Sequence, residues 1–241
     1  MNALLERVMK KYVMLTLPLL IVSGSIMAED GIKSSVESGL IFTSGNTDTR
    51  TVNIKGKVEH TKGKSRNTLS AEALYVDGDQ GKLSEKYLGE GNTAYQFAEK
   101  TYAYANAKLE RDLFSGYDYQ GVISTGLGYR LINDEVMTLD LEAGPGYRQI
   151  KLKKKEADGE FIGRIAGKFA YNLGKKSVFT EEITSEISSD AAITKSVTAV
   201  TAQVVGNMAM KVSLTIKHNS GAPSDVDKID SETALTLVYT F

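Results

Sequence analysis

From about residue 36 onward, apolar and polar residues alternate in blocks separated by clusters of turn-forming residues. Successive side chains of a strand point to opposite faces, so a period of two predicts strands with one apolar and one polar side. The clearest block sets Val52, Ile54, Gly56 and Val58 against Thr51, Asn53, Lys55, Lys57 and Glu59. Its length, roughly ten residues, is what a tilted membrane-crossing strand needs. Blocks of the same kind cover 36–42, 69–75, 87–97, 103–109, 119–129, 137–143, 161–171, 179–187, 208–216 and 235–241. Residues 194–205 form one more block, apolar on both parities, whose facing the pattern leaves open. Glu181 interrupts the apolar face of the block that contains it. Pro145, held between Gly144 and Gly146, predicts a bulge or sharp bend, because proline donates nothing to a ladder. No helical periodicity of useful length follows residue 28.

The blocks number about twelve, and their connections alternate between short turns and longer polar loops. That is the rhythm of an antiparallel up-and-down barrel whose ends lie in the periplasm, with short periplasmic turns and long outer loops. Aromatic residues gather at both ends of the apolar faces. Phe42, Tyr75, Tyr87, Tyr119, Tyr147 and Phe161 fall near the outer loops, and Tyr95, Phe97, Tyr129, Tyr171, Phe179, Tyr239 and Phe241 near the periplasmic turns. Two ring belts around an aliphatic band are what membrane interfaces select. A soluble sandwich or lipocalin-like barrel would turn the same rings inward. The fold class expected is therefore all-β, a transmembrane antiparallel up-and-down β-barrel of about 12 strands. Leu235, Leu237, Tyr239 and Phe241 fall on one parity and the chain stops on the aromatic. This segment resembles the closing strand of bacterial outer-membrane barrels, where such a terminus belongs to the signal read by the assembly machinery.

The first segment stands apart. Arg7, Lys10 and Lys11 precede an apolar run from Val13 to Ile26, and Ala28 offers a small residue before Glu29 and Asp30. This is the layout of a cleavable secretory signal peptide. It divides the chain into a signal peptide, 1–28, and a barrel domain, 29–241. Cleavage would remove three basic side chains and one acidic one, taking the formal charge from −1 to −3. That balance does not suit a nucleic-acid partner. The chain has no cysteine, hence no disulfide and no lipoprotein anchor.

Ser44, Gly45, Asn46, Thr47 and Asp48 after the first strand, with Gly144, Pro145, Gly146, Tyr147 and Arg148 after the seventh, resemble the signatures of a known family. It is the domain-of-unknown-function 481 family, whose members are often labelled salt-induced outer-membrane proteins. The resemblance covers essentially the whole chain after residue 34. It implies an outer-membrane barrel of Gram-negative bacteria and a link to salt or osmotic stress. It brings no established activity and no catalytic residues.

Catalytic chemistry is sparse. His60 and His218 are the only histidines, and parity puts both on the outward face, near opposite ends. They cannot share one hydrolytic site of the His-plus-Ser or His-plus-acid kind. No metal-ligand cluster or phosphate loop is present, and no cofactor is expected. The inward face is charged with both signs. Lys55, Lys57, Lys108, Arg130, Arg148, Arg164, Lys168, Lys211 and Lys217 meet Glu59, Glu72, Glu90, Glu110, Asp140, Glu142, Glu182 and Glu186 there. Near-equal signs predict cross-strand ion pairs that fill or narrow the interior, not a ring of one charge. Twelve strands enclose a lumen between the filled eight-stranded case and the open porins, so a narrow pore and a plugged scaffold are both available, with the scaffold slightly favoured. The reading is a non-enzymatic outer-membrane protein, an envelope structural element or a narrow pore for ions or small solutes. A barrel-borne lipid or peptide hydrolase is the alternative. The expected partners are outer-membrane lipid, lipopolysaccharide phosphates beside the basic stretch Lys151–Lys155, and the barrel assembly machinery.

Overall fold

A computed structural model describes residues 31–44, 49–77, 83–112, 117–152, 156–222 and 227–241. The expected signal peptide, Gly45 to Asp48 of the first motif and Lys153 to Lys155 of the basic stretch lie outside these residues. The described chain forms twelve strands: β1 Ile32–Ser44, β2 Thr49–Lys62, β3 Ser65–Asp77, β4 Leu83–Gln96, β5 Thr101–Asp112 and β6 Tyr117–Asn133, then β7 Met137–Leu152, β8 Ala157–Gly174, β9 Ser177–Ile187, β10 Ala192–Val205, β11 Met208–Asn219 and β12 Ile229–Thr240. Each pairs antiparallel with its sequence neighbours, and β12 closes the cylinder against β1. Closure leaves no strand edge unpaired, which a sheet in hydrocarbon requires. At the seam Tyr239 faces Val36 and Leu237 faces Ser38, and Phe241 N–H donates to the Ser34 carbonyl at 2.8 Å.

The turns after β2, β4, β6, β8 and β10 are short, as the sequence suggests. Gly63 and Gly206 occupy two of them at φ of +55° and +53°, a left-handed conformation that favours glycine. The alternation sorts faces as a membrane barrel demands. Ile54, Leu69, Leu127, Ile165, Val212 and Leu235 are exposed on the outside, while Glu142, Arg148 and Arg164 are buried inside. Exposed rings stand at both rims, among them Tyr75, Tyr87 and Phe161 at one and Tyr95, Tyr129 and Phe241 at the other. Tyr147 meets Phe161 edge-on at 5.5 Å between ring centroids, and Tyr239 meets Phe241 at 4.8 Å.

Pro145 produces no bulge. The β6–β7 ladder keeps one register from Ser124↔Gly146 to Leu127↔Ala143, and β7–β8 runs in register through Pro145↔Gly163. The rungs opposite Gly144 and Pro145 are missing, so proline, which has no N–H to donate, sits at an interruption of the β6–β7 ladder. The backbones of β6 and β7 approach closely here. A Cβ at Gly126 would collide with the Ala143 carbonyl and one at Gly144 with the Thr125 carbonyl. The ladder's register shifts lie elsewhere, for example between Arg130 and Ile132 of β6 and between Gln203 and Val205 of β10.

Candidate functional site in the lumen

Strand parity packs the interior against β5 to β8. On β5 to β8 the inward side chains Tyr102, Tyr104, Val122, Glu142, Ile162 and Arg164 are buried. Glu142 is the centre of this side. It accepts from Arg164 Nη1 at 2.9 Å, from Lys168 Nζ at 3.0 Å and from the Tyr102 hydroxyl at 3.0 Å. The Tyr102 ring lies over Gly128, where a Cβ would strike it, and Arg130 sits 5.8 Å from its centroid. Arg164 lies 5.2 Å from the centroid of Tyr104. A carboxylate with three donors inside a ring of aromatics is held rigid and has its charge met on every side.

Two ion pairs reach across the interior between strands four places apart. Lys108 of β5 meets Glu186 of β9 at 3.0 Å, and Arg66 of β3 meets Asp140 of β7 at 3.6 Å. Asp140 also lies 4.0 Å from Arg130, whose Nη1 donates to Gln96 at 3.1 Å. Arg148, 1 % exposed, binds Glu160 at 2.6 Å and lies 3.6 Å from Glu186. Other pairs hug the wall. Lys211 meets Glu37 at 2.9 Å, Lys86 meets Glu110 at 3.8 Å and Lys57 meets Glu59 at 3.6 Å. Asn53 donates to Glu72 at 3.1 Å and Asn106 to Glu90 at 2.7 Å.

Elsewhere the interior is mixed: Leu74 of β3, Ala199 of β10 and Ala234, Thr236 and Val238 of β12 are buried, and the solvent contact follows β11 and part of β9. Along β11 the inward series Lys217, Thr215, Ser213, Lys211 and Ala209 keeps partial solvent exposure throughout. On β9 Glu182 is exposed, with Thr184 and Thr180 partly so. Lys195 and Lys217 stand directly opposite each other near the end of the barrel that carries the β11–β12 loop, and Lys195 and Lys55 both act electrostatically on Glu232. None of these three lysines forms an ion pair among the described residues. Lys86 and Lys108, on the far wall, act electrostatically on Lys195. That end therefore gathers lysines from both walls.

Every charged residue expected inside sits on the inward face of its strand. The structure joins Arg130 with Asp140, Arg164 and Lys168 with Glu142, and leaves Lys55 and Glu182 without an ion pair among the described residues. Sequence reading missed Tyr102, Arg66, Lys86, Glu160 and Lys195. Their parity was readable, but which strands meet across the lumen was not. His60 and His218 face outward at opposite ends, His60 beside the β2–β3 turn and His218 beside the β11–β12 loop. Lys151 of the basic stretch pairs with Asp118 at 3.5 Å. Among the described residues no group of acidic and histidine side chains has metal-binding geometry.

The inward and outward faces of 194–205 are now fixed. Ser196 sits opposite Ile183 and Thr198 opposite Glu181, so Thr194, Ser196, Thr198 and Val200 face outward and Ile193, Val197 and Ala199 inward. The outward side of β9 and β10 is thus polar at mid-strand, against the general rule of this barrel.

Among solved structures the chain is similar to the NanC porin, with TM-score 0.58 and 9% identity over 85% of this chain and 98% of that one. It is also similar to the KdgM porin, solved in complex with disordered oligogalacturonate, with TM-score 0.51 and 12% identity over 86% of this chain and 99% of that one. At such identity the likeness is one of fold. A curated relative is the "Uncharacterized protein YdiY" of Escherichia coli (strain K12), 22% identical over 88% of this chain and 84% of the relative. The family model described as "Protein of unknown function, DUF481" matches residues 36–241, from within β1 to the last residue, and the chain belongs to that family.

Proposed function

We propose that the protein is a non-enzymatic outer-membrane β-barrel that forms a narrow pore for ions and small solutes. One observation carries this: the inward side chains of β11 keep solvent contact from Lys217 at the outer mouth to Ala209 at the periplasmic mouth. A filled scaffold would bury that row as Tyr102, Tyr104 and Asn106 are buried on β5. Porin-fold neighbours that match over nearly their full length support the same reading. The packed side around Glu142 narrows the passage, and the cross-lumen pairs limit solute size.

Export through the signal peptide, lipopolysaccharide contact at the Lys151 loop and recognition of Leu235, Leu237, Tyr239 and Phe241 by the assembly machinery belong to this proposal. A link to salt or osmotic stress rests on the family resemblance, and transcript levels after a salt shift test it. For the pore, the test is conductance of the purified, refolded chain in a planar bilayer. Discrete small steps are expected. A barrel that shows a folded band on unboiled gels yet carries no current would instead be an envelope structural element.

A further inference from the structure

One line of rungs crosses β9, β10, β11 and β12 as Thr184, Lys195, Lys217 and Asp230, all with inward side chains. Directly opposite residues on paired strands stand about 5 Å apart at Cβ, and like charges placed so repel. Lys195 is exposed to the lumen and Lys217 partly so, and neither has an ion pair or a hydrogen bond among the described residues. The acids around them are engaged or stand off. Glu186, two residues beyond Thr184, accepts from Lys108 at 3.0 Å and lies 3.6 Å from Arg148. Glu110 acts electrostatically on both lysines but is held by Lys86 at 3.8 Å. Glu232 acts electrostatically on Lys195 and is in contact with no described cation. Asp230, next along the line, makes no ion pair with Lys217. The hydroxyls of Thr184 and of Thr215 and Ser213, deeper along β11, keep partial solvent contact and make no hydrogen bond among the described residues. Unspent N–H and O–H donors are thus gathered on one stretch of the open wall.

We propose that Lys195 and Lys217, with the hydroxyls of Thr184 and Thr215, form a binding site inside the lumen for a doubly charged oxyanion, of which inorganic phosphate is the simplest. The inference rests on the pore reading above and deepens it by naming a class of solute. An ammonium group is all donor, with three N–H and no acceptor, and a hydroxyl can donate as well. Phosphate presents several acceptor oxygens around one centre, so a single ion meets both ammonium groups and still accepts from a hydroxyl. Its two negative charges match the two that repel across the rung. Chloride brings one charge to the pair, and a carboxylate one charge on two oxygens. Lys86 and Lys108 add their field from the far wall. Lysines hold such an ion as point charges on flexible stems rather than in a fixed fork. Glu110 and Glu232, near but not in contact, weaken the hold further. A conducting site needs both properties, because what it binds must also leave.

The full chain is refolded, checked by its folded band on unboiled gels and placed in a planar bilayer in potassium chloride. Added inorganic phosphate should cut the unit current at least twofold. Lys195→Gln with Lys217→Gln should keep the folded band and raise the half-effective phosphate concentration about tenfold or more, and Thr184→Val should raise it less. Lys62→Gln with Lys64→Gln removes the same charge at the β2–β3 turn, at the other end of the barrel, and should leave that concentration at its wild-type value. Acetate should act more weakly than phosphate. Binding is read apart from current by the phosphorus NMR line of phosphate mixed with the barrel in detergent, which the wild type should broaden and the Lys195→Gln, Lys217→Gln variant should not. Conducting channels indifferent to phosphate, equal sensitivity in the wild type and that variant, or equal action of acetate each overturn the proposal. A folded barrel that carries no current overturns the pore reading instead. The phosphorus line then decides the site alone: broadening that needs both lysines keeps it, and an unbroadened line removes it as well.

Discussion

Removing the Glu142 carboxylate is the sharpest test of the packed side of the lumen. The Glu142 side chain is 2% exposed and that of Arg164 6%. In Glu142→Ala the Arg164 guanidinium loses its anion but stays out of water, and breaking a buried pair this way costs about 3–5 kcal/mol. Lys168 is 33% exposed and relaxes toward water, so its lost pair adds under about 1 kcal/mol. The Tyr102 hydroxyl loses a charged acceptor, a bond of the kind worth about 1.5–3 kcal/mol. These terms share one carboxylate and do not add, so a loss of about 4 kcal/mol is expected. The matched control is Lys57→Ala, whose pair with Glu59 is exposed at 45% and 29% and should cost under about 1 kcal/mol. The chain has no tryptophan, so unfolding is followed by circular dichroism or by loss of the folded band on unboiled gels across a urea series. Glu142→Leu with Arg164→Leu removes both charges together and should recover most of the loss. If Glu142→Ala is no worse than Lys57→Ala, water reaches this cluster and the reading of the β5–β8 side of the lumen as dry is wrong.

Three further outcomes follow from the same geometry. Asp140→Asn with Glu186→Gln cuts both cross-lumen pairs, so unit conductance in a planar bilayer should rise at least twofold; an unchanged step would mean that ions pass elsewhere. Lys195→Glu with Lys217→Glu reverses the charge of the opposed pair at the outer mouth, and the reversal potential in a salt gradient should move toward cation preference. Gly126→Ala and Gly144→Ala drive a methyl into backbone carbonyls and should each cost about 2 kcal/mol or more by urea midpoint. Gly56→Ala and Gly89→Ala meet nothing within 4 Å and should be near neutral in the same assay.

The barrel was legible because its signal is local. A strand's facing needs only parity, and twelve blocks with alternating connection lengths leave few other topologies. The interior was legible one strand at a time. Lys108 and Glu186 lie 78 positions apart, and nothing in either neighbourhood says that they meet. That depends on how the closed cylinder brings β5 and β9 within side-chain reach, which no local pattern encodes. The block 194–205 stayed ambiguous for a different reason. Hydropathy patterning assumes that outward means apolar, and β10 turns Thr194, Ser196 and Thr198 outward while Ile193, Val197 and Ala199 face in. The warning was Glu181, whose interruption of the β9 face marks the same patch from the neighbouring strand.

The second motif shows how a sequence signature can be structural chemistry rather than a catalytic one. Gly144 and Gly146 point inward where side chains would strike the backbone of β6. Pro145, between them, points outward opposite the missing rungs. Tyr147 continues the outward parity and meets Phe161 at the outer rim. Arg148 returns to the inside, buried against Glu160 and Glu186. Glu186 is also the anchor for Lys108 from the far wall. Five consecutive residues therefore admit the close approach of β6, spare a ladder bond, place a ring at the rim and hold one end of a cross-lumen tether. Arg148→Lys keeps the charge but not the fork that reaches Glu160 and Glu186 together. It should loosen the tether and raise conductance while leaving the folded band intact. A variant with wild-type conductance would show that the motif shapes the wall without setting the bore.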